Sequence, residues 1–164
     1  MVNYLKTSSR SIDCRNAALL QIGFFGAFRR SELVNLRWEN IHFVSEGVEI
    51  LIPHSKTDQS HEGQICAIPY GNDTLCPVKA LLQWKTRTNT QSAYVFCRVH
   101  RDSTSPSPLN ANQVNEIIKS IAAACELPNA RAYSSHSLRR GFATEASRKG
   151  APFGTIMRQG TMAT

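Results

Sequence analysis

The sequence predicts an α+β fold, mostly α, with one small antiparallel sheet. Apolar residues recur at helical spacing over several stretches, most clearly at Val114, Ile117, Ile118, Ile121 and Cys125. Two short runs alternate instead: Val48, Ile50 and Ile52 with Glu49 and Leu51, then Ile65, Ala67 and Pro69. Between them, His54 to Gly63 is polar and ends in glycine, as a hairpin loop does.

Residues 1–12 read as a leader or linker remnant and residues 13–164 as the folded domain. Asp13 is expected to cap a helix beginning at Cys14. Ala17, Ala18, Leu19, Leu20, Ile22, Phe24 and Phe25 make that helix apolar nearly all round, so it should be deeply buried. Gly26 closes it. Leu33, Val34 and Leu36 continue at helical spacing from a second start near Arg30 or Ser31, which leaves Arg29 at a tight junction.

After the two strands, Pro77 opens a helix to about Arg87 with Val78, Leu81, Leu82 and Trp84 inward. Arg98 to Pro108 reads as a polar connection. Asn110 caps the amphipathic helix and Pro128 ends it. Ser134 or Ser135 caps the next helix, which runs to Lys149 and stops at Gly150. Its core residues are expected to be Leu138, Phe142, Ala143 and Ala146. Pro152 opens a last short helix through Ile156 and Met157, and no internal repeat is visible.

Composition narrows the function classes. At 164 residues the chain has one domain's length and can bury a core. Hydrophobic content of 41% with 19% charged residues describes a soluble globule rather than a disordered tail. The formal net charge of +7 favours a polyanionic partner, nucleic acid first. No apolar run is long enough to span a bilayer, and no basic amphipathic helix has an aromatic face. The five cysteines are odd in number, with no C-x-x-C pair, and Met1 to Arg10 has no secretory apolar run. These features point to reduced thiols in the cytoplasm. His54, His61, Cys66 and Cys76 fit no common zinc spacing, so no metal, cofactor or small-molecule substrate is expected.

Two segments carry the chemistry: Phe28-Arg29-Arg30-Ser31-Glu32-Leu33 and Ser135-His136-Ser137-Leu138-Arg139-Arg140-Gly141-Phe142. Phosphodiester cleavage needs charge stabilisation on the non-bridging oxygens, a nucleophile, and an acid for the leaving oxygen. Arginine suits the first task, because its planar fork stays cationic and binds two phosphate oxygens at once. Arg29 and Arg139 each lie at or near a predicted helix start, where free N–H groups also favour an anion. His136 and Arg139 are one helical turn apart and share a face. Glu32, three residues from Arg29, can orient a guanidinium.

In that order, with the hairpin between, these segments resemble the tyrosine recombinases, the phage integrase family. Gly26 to Leu33 resembles the family's first arginine box, His54-Ser55-Lys56-Thr57-Asp58 its hairpin lysine segment, and Ser135 to Thr144 its histidine-x-x-arginine box. The resemblance covers the chain from about Cys14 onward and implies the family's catalytic-domain fold. It implies that Arg29 and Arg139 hold the scissile phosphate, that Lys56 protonates the departing sugar oxygen, and that His136 assists proton transfer. Glu32 is then a supporting acid, while Arg30, Arg140, Arg148 and Lys149 contact the DNA backbone.

The implied activity is DNA integration or site-specific recombination, through a transient 3′-phosphotyrosyl link to duplex DNA, as in mobile elements. Other recombinase protomers are the second implied partner, through exchange of a C-terminal helix. The family places a histidine or tryptophan where this chain has Met162, and its nucleophilic tyrosine further on. Tyr4, Tyr70, Tyr94 and Tyr133 all precede the second box and match no nucleophile position. The expectation is therefore a catalytic domain lacking its C-terminal end and inactive alone. Two other readings stay open: a catalytically inactive DNA-binding or recombinase-interacting module, and a type IB topoisomerase.

Overall fold

One helix buried on every side organises the domain. In the computed structural model, which describes residues 1–53, 63–88, 92–100, 103–152 and 154–155, α2 spans Ser11–Phe25. Its Ala18, Leu19 and Ile22 are fully buried, and each large side chain so placed contributes about 1.5–3 kcal/mol. The helix starts earlier than Cys14. Asp13 lies within its first turn rather than at the cap, accepting from Ser8 Oγ at 2.6 Å and Arg10 Nε at 2.7 Å. Those bonds fold the preceding segment back onto the helix. Instead of a structureless leader, Val2–Lys6 forms α1, with Leu5 buried and Lys6 Nζ donating to the Thr74 carbonyl at 2.5 Å.

Helix α3 (Arg30–Asn35) follows α2 across the tight junction, then a 3-10 turn at Trp38–Asn40 leads into β1 (Ile41–Val44). β1 pairs antiparallel with β2 (Gly47–Ile52), and β2 with β3 (Gln64–Pro69). Val48, Ile50 and Ile52 point inward as expected. β3 shows the opposite face from the one its sequence suggested: Cys66 and Ile68 are buried while Ile65 is 62% exposed. Register explains the reversal. Directly opposed residues share a face, and Ile68 and Cys66 oppose Val48 and Ile50.

Helix α4 (Pro77–Arg87) buries Val78, Leu81 and Trp84 against α2, but Leu82 lies beside that stripe and is exposed. The expected polar connection at 98–108 is instead a hairpin of β4 (Cys97–His100) and β5 (Ser103–Pro108). A two-stranded sheet has only edges, so Pro106 and Pro108 are tolerated there. Arg15, buried in α2, ties the hairpin down by donating to the Cys97 carbonyl at 3.2 Å.

Helix α5 (Ala111–Ala124) is capped by Asn110, whose Oδ1 accepts from Asn112 N at 2.9 Å. It ends before Pro128. Glu126 takes a left-handed conformation (φ 54°), and Glu126 N and Leu127 N donate back to the Ala123 and Ala122 carbonyls. Helix α6 (Ser135–Arg148) begins after Ser134 and ends with the same bond pattern on Gly150 (φ 78°). It docks on α2, with Leu138 against Gly23 and Phe142 edge-on to Phe24 at 6.1 Å. Gly154 and Thr155 are helical, and the rest of the last expected helix lies outside the described residues.

Candidate functional site

The α2–α3 junction is built to present Arg29. Gly26 ends α2, and a Cβ there would lie 2.2 Å from the Phe28 ring, so only glycine lets that ring fold under. Ala27 then takes a left-handed conformation (φ 48°). With Ala27 and Phe28 buried, Arg29 emerges at the N-cap of α3. Glu32, one turn on, accepts from Arg29 N at 2.6 Å through Oε2 and from Arg29 Nη1 at 2.8 Å through Oε1.

Arg139 arrives from the far side on α6. Its Nη1 donates to the Ala27 carbonyl at 2.6 Å and stands 3.9 Å from Glu32 Oε2. Glu32 therefore bridges the two guanidinium groups from beneath, with its side chain 9% exposed. Burial lowers the Arg139 pKa from its ordinary value, and the neighbouring Arg29 charge lowers it further, while Glu32 opposes both. The fold thus holds two like charges together next to open space.

That space is a cavity of about 410 Å³ lined by Arg29, Arg30, Asn115, Ser134, Ser135, His136 and Arg139. Residues more than a hundred positions apart in sequence share it. His136 stands exposed at the start of α6, one turn before Arg139. Arg30 reaches across to α5, its Nη1 donating to Asn112 Oδ1 at 3.3 Å. Two guanidinium forks, an imidazole and the first turn of α6 facing one cavity suit a tetrahedral oxyanion.

The other expected residues fall elsewhere. Lys56 lies outside the described residues, in the connection between β2 and β3, as do Met162 and the segment Ile156 to Gly160. Arg140 is exposed on α6 and does not line the cavity. Arg148 and Lys149, at the end of α6, both pair with Glu145, at 3.1 and 3.7 Å. Sequence reasoning missed Asn115, whose Oδ1 accepts from Ser135 N at 3.0 Å, and the Ala27 carbonyl. Neither has a local sequence signal, since each contact forms only when α5 or α6 docks. Among the described residues, no group of three or more His, Cys, Asp and Glu side chains is placed to hold a metal ion, and no helix is long and apolar enough to cross a membrane.

The sequence pattern of the phage integrase family matches residues 1–161. The chain belongs to that family. An integrase/recombinase xerD homolog of Selenomonas ruminantium is 39% identical over 147 residues, which cover 88% of this chain and 43% of that protein. The chain thus spans less than half the length of this curated relative. The fold is that of tyrosine recombinase catalytic domains. XerH site-specific recombinase, in a pre-cleavage complex with its difH substrate, superposes with a TM-score of 0.75 at 18% identity, over 99% of this chain and 44% of that one. The catalytic core of lambda integrase gives 0.67 at 17% identity, over 97% of this chain and 84% of that one. The α+β, mostly helical expectation is borne out, with two small antiparallel sheets in place of one.

Proposed function

We propose that this phage integrase-family chain supplies the phosphate-gripping part of a DNA integrase or site-specific recombinase catalytic domain. One observation carries the reading: Arg29 and Arg139 are held around a single cavity by a shared carboxylate, Glu32, with His136 beside them. In this reading the two arginines bind the non-bridging oxygens of one phosphodiester in duplex DNA and stabilise the charge that builds there. A tyrosine oxygen attacks phosphorus, and the 5′ sugar oxygen leaves with a proton from Lys56. The 3′-phosphotyrosyl link so formed conserves the bond for rejoining. His136 hydrogen-bonds the phosphate and assists the tyrosine's proton. Tyr4, Tyr70, Tyr94 and Tyr133 all precede the second box, and none of them lines the cavity of Arg29, His136 and Arg139.

The shared-phosphate claim is tested by fluorescence anisotropy of labelled duplex DNA over a salt series. Each phosphate neutralised adds about 0.9 to the slope of log affinity against log salt. If both arginines grip one phosphate, Arg29→Ala or Arg139→Ala weakens binding with little change in slope, and the double variant lowers the slope by about 0.9. Separate phosphates give about 0.9 for each substitution and about 1.8 together. Binding unchanged in all three variants overturns the site.

Met162 supports a second reading. A methionine cannot donate the strong hydrogen bond expected of a histidine or tryptophan at that position. The chain then acts as a DNA-binding module that joins other recombinase protomers, by accepting a helix, rather than cutting DNA. Mixing the 164-residue polypeptide with an intact recombinase tests this: the absence of both complex formation and inhibition of strand exchange would overturn the second reading.

A further inference from the structure

Asn115 occupies a position that the first arginine box, the hairpin lysine and the second box do not explain. It projects from the second turn of α5 into the cavity shared by Arg29, Arg30, His136 and Arg139. Its Oδ1 accepts from the backbone N–H of Ser135, the first residue of α6, at 3.0 Å. Ser135 is buried, and its N–H is one of the donors a helix start leaves without an internal partner. Because that partner is a donor, only the amide oxygen can face it, which fixes how the side chain is turned. The amide nitrogen is directed away from Ser135, and among the described residues it has no hydrogen-bond partner. Asn115 lines the same cavity as Arg29 and Arg139, so its two N–H groups are within a ligand's reach there.

We propose that Asn115 is an additional phosphate ligand: its amide oxygen pins the start of α6 while its amide nitrogen donates to a non-bridging oxygen of the gripped phosphodiester. The inference rests on the phosphate reading above and adds an uncharged donor from a third helix. That donor does something the arginines do not. A guanidinium attracts any phosphate nearby, whereas a fixed amide rewards one orientation of the phosphate. By locking Ser135, Asn115 also sets the direction in which His136 and Arg139 leave α6.

Three variants of the full 164-residue chain test this, with mixed-sequence duplex DNA as the probe. Asn115→Ala removes both the acceptor and the donors. It should weaken binding by about tenfold, the effect of one hydrogen bond to a charged group, with the salt slope unchanged because no charge is lost. Its melting temperature should fall by a few degrees as Ser135 N–H loses its partner. Asn115→Asp keeps the acceptor, so its melting temperature and the Ser135 amide resonance should match wild type. Its binding should stay weak even at high salt, where the added charge is screened. Arg139→Ala is the control for the site itself. If Arg139→Ala weakens binding while Asn115→Ala stays within twofold of wild type, the Asn115 inference is overturned and the phosphate site stands. Recovery of wild-type affinity by Asn115→Asp at high salt overturns the donor role. If neither Arg139→Ala nor Asn115→Ala affects binding, the phosphate site fails and this inference with it.

Discussion

The thiol of Cys66 reports on the charge beneath the site. It is buried on β3, 1% exposed, and its Sγ lies 3.9 Å from the Gly26 carbonyl, at the start of the junction that presents Arg29. Burial pushes its pKa from the ordinary 9.0 up to about 12, and the negative charge of Glu32 adds to the rise. A group whose folded pKa is raised contributes stability that is complete below its unfolded pKa and is lost as pH climbs toward the folded value. The window here runs from pH 9 to about 12. At about pH 10.5 the unfolded thiol is mostly ionised and the folded one is not. At 1.36 kcal/mol per pH unit, the loss attributable to Cys66 is then about 2 kcal/mol. Urea unfolding of wild type and Cys66→Ala at about pH 8 and about pH 10.5 isolates it, because the cavity left by alanine costs the same at both pH values. Cys14 and Cys97, whose pKa values are also raised by burial, cancel in the comparison. So does Arg15, lowered by burial to about 10, whose own contribution grows rather than shrinks above that pH. Wild type should lose about 2 kcal/mol more than Cys66→Ala. Equal losses refute the argument. In a Glu32→Gln background the difference should shrink without vanishing, since burial is the larger cause.

Two stability predictions accompany it. Glu126→Gly places the residue suited to a left-handed helix end where a glutamate now sits at φ 54°, and should stabilise by about 1 kcal/mol, read as a melting temperature about 2–4 °C higher. Gly26→Ala drives a Cβ to within 2.2 Å of the Phe28 ring, which is fully packed. It should destabilise by about 1–3 kcal/mol in urea melts and weaken DNA binding, because Phe28 carries Arg29 behind it.

What was legible in the sequence was whatever has a local cause. Asn110 with Gln113, Pro77, and Ser134 with Ser137 mark helix starts by bonds within one turn, and α4, α5 and α6 begin where those residues place them. Arg29 and Glu32 were readable as a pair for the same reason. What was misread depends on pairing across the chain. The inward face of β3 is chosen by its register with β2, and a small thiol at Cys66 was a weaker apolar mark than the isoleucine beside it. The β4–β5 hairpin carries prolines that argue for a loop until one sees that both strands are edges. α1 is held by Leu5 and by Lys6 bonding to the Thr74 carbonyl, and five residues alone form no stable helix. Asn115 meets Ser135 across 20 residues, a contact set only by how α5 docks against α6.

The charges at the junction bear on what Lys56 would add to the proposed site. Arg29 and Arg139 against the one carboxylate that bridges them leave one unit of positive charge between them, and Arg30 adds a second at the same cavity. A phosphodiester carries a single negative charge, so in the proposed reading these fixed cations already offset the ground state of DNA backbone. A five-coordinate phosphorus carries more negative charge than that, and rate comes only from interactions that strengthen on the way to it. Arg29 is held by Glu32, and Arg139 by the Ala27 carbonyl with Glu32 close by, so neither guanidinium is placed to add charge during the reaction. The proposed mechanism draws a further cation from an element outside this cluster. In the proposed mechanism that element is the β2–β3 connection, which carries Lys56. Lys56→Ala should therefore leave duplex affinity near wild type while abolishing strand cleavage in a recombinase that contains the tyrosine. An equal loss of both would mean that Lys56 belongs to ground-state binding and that the division of labour argued here is wrong.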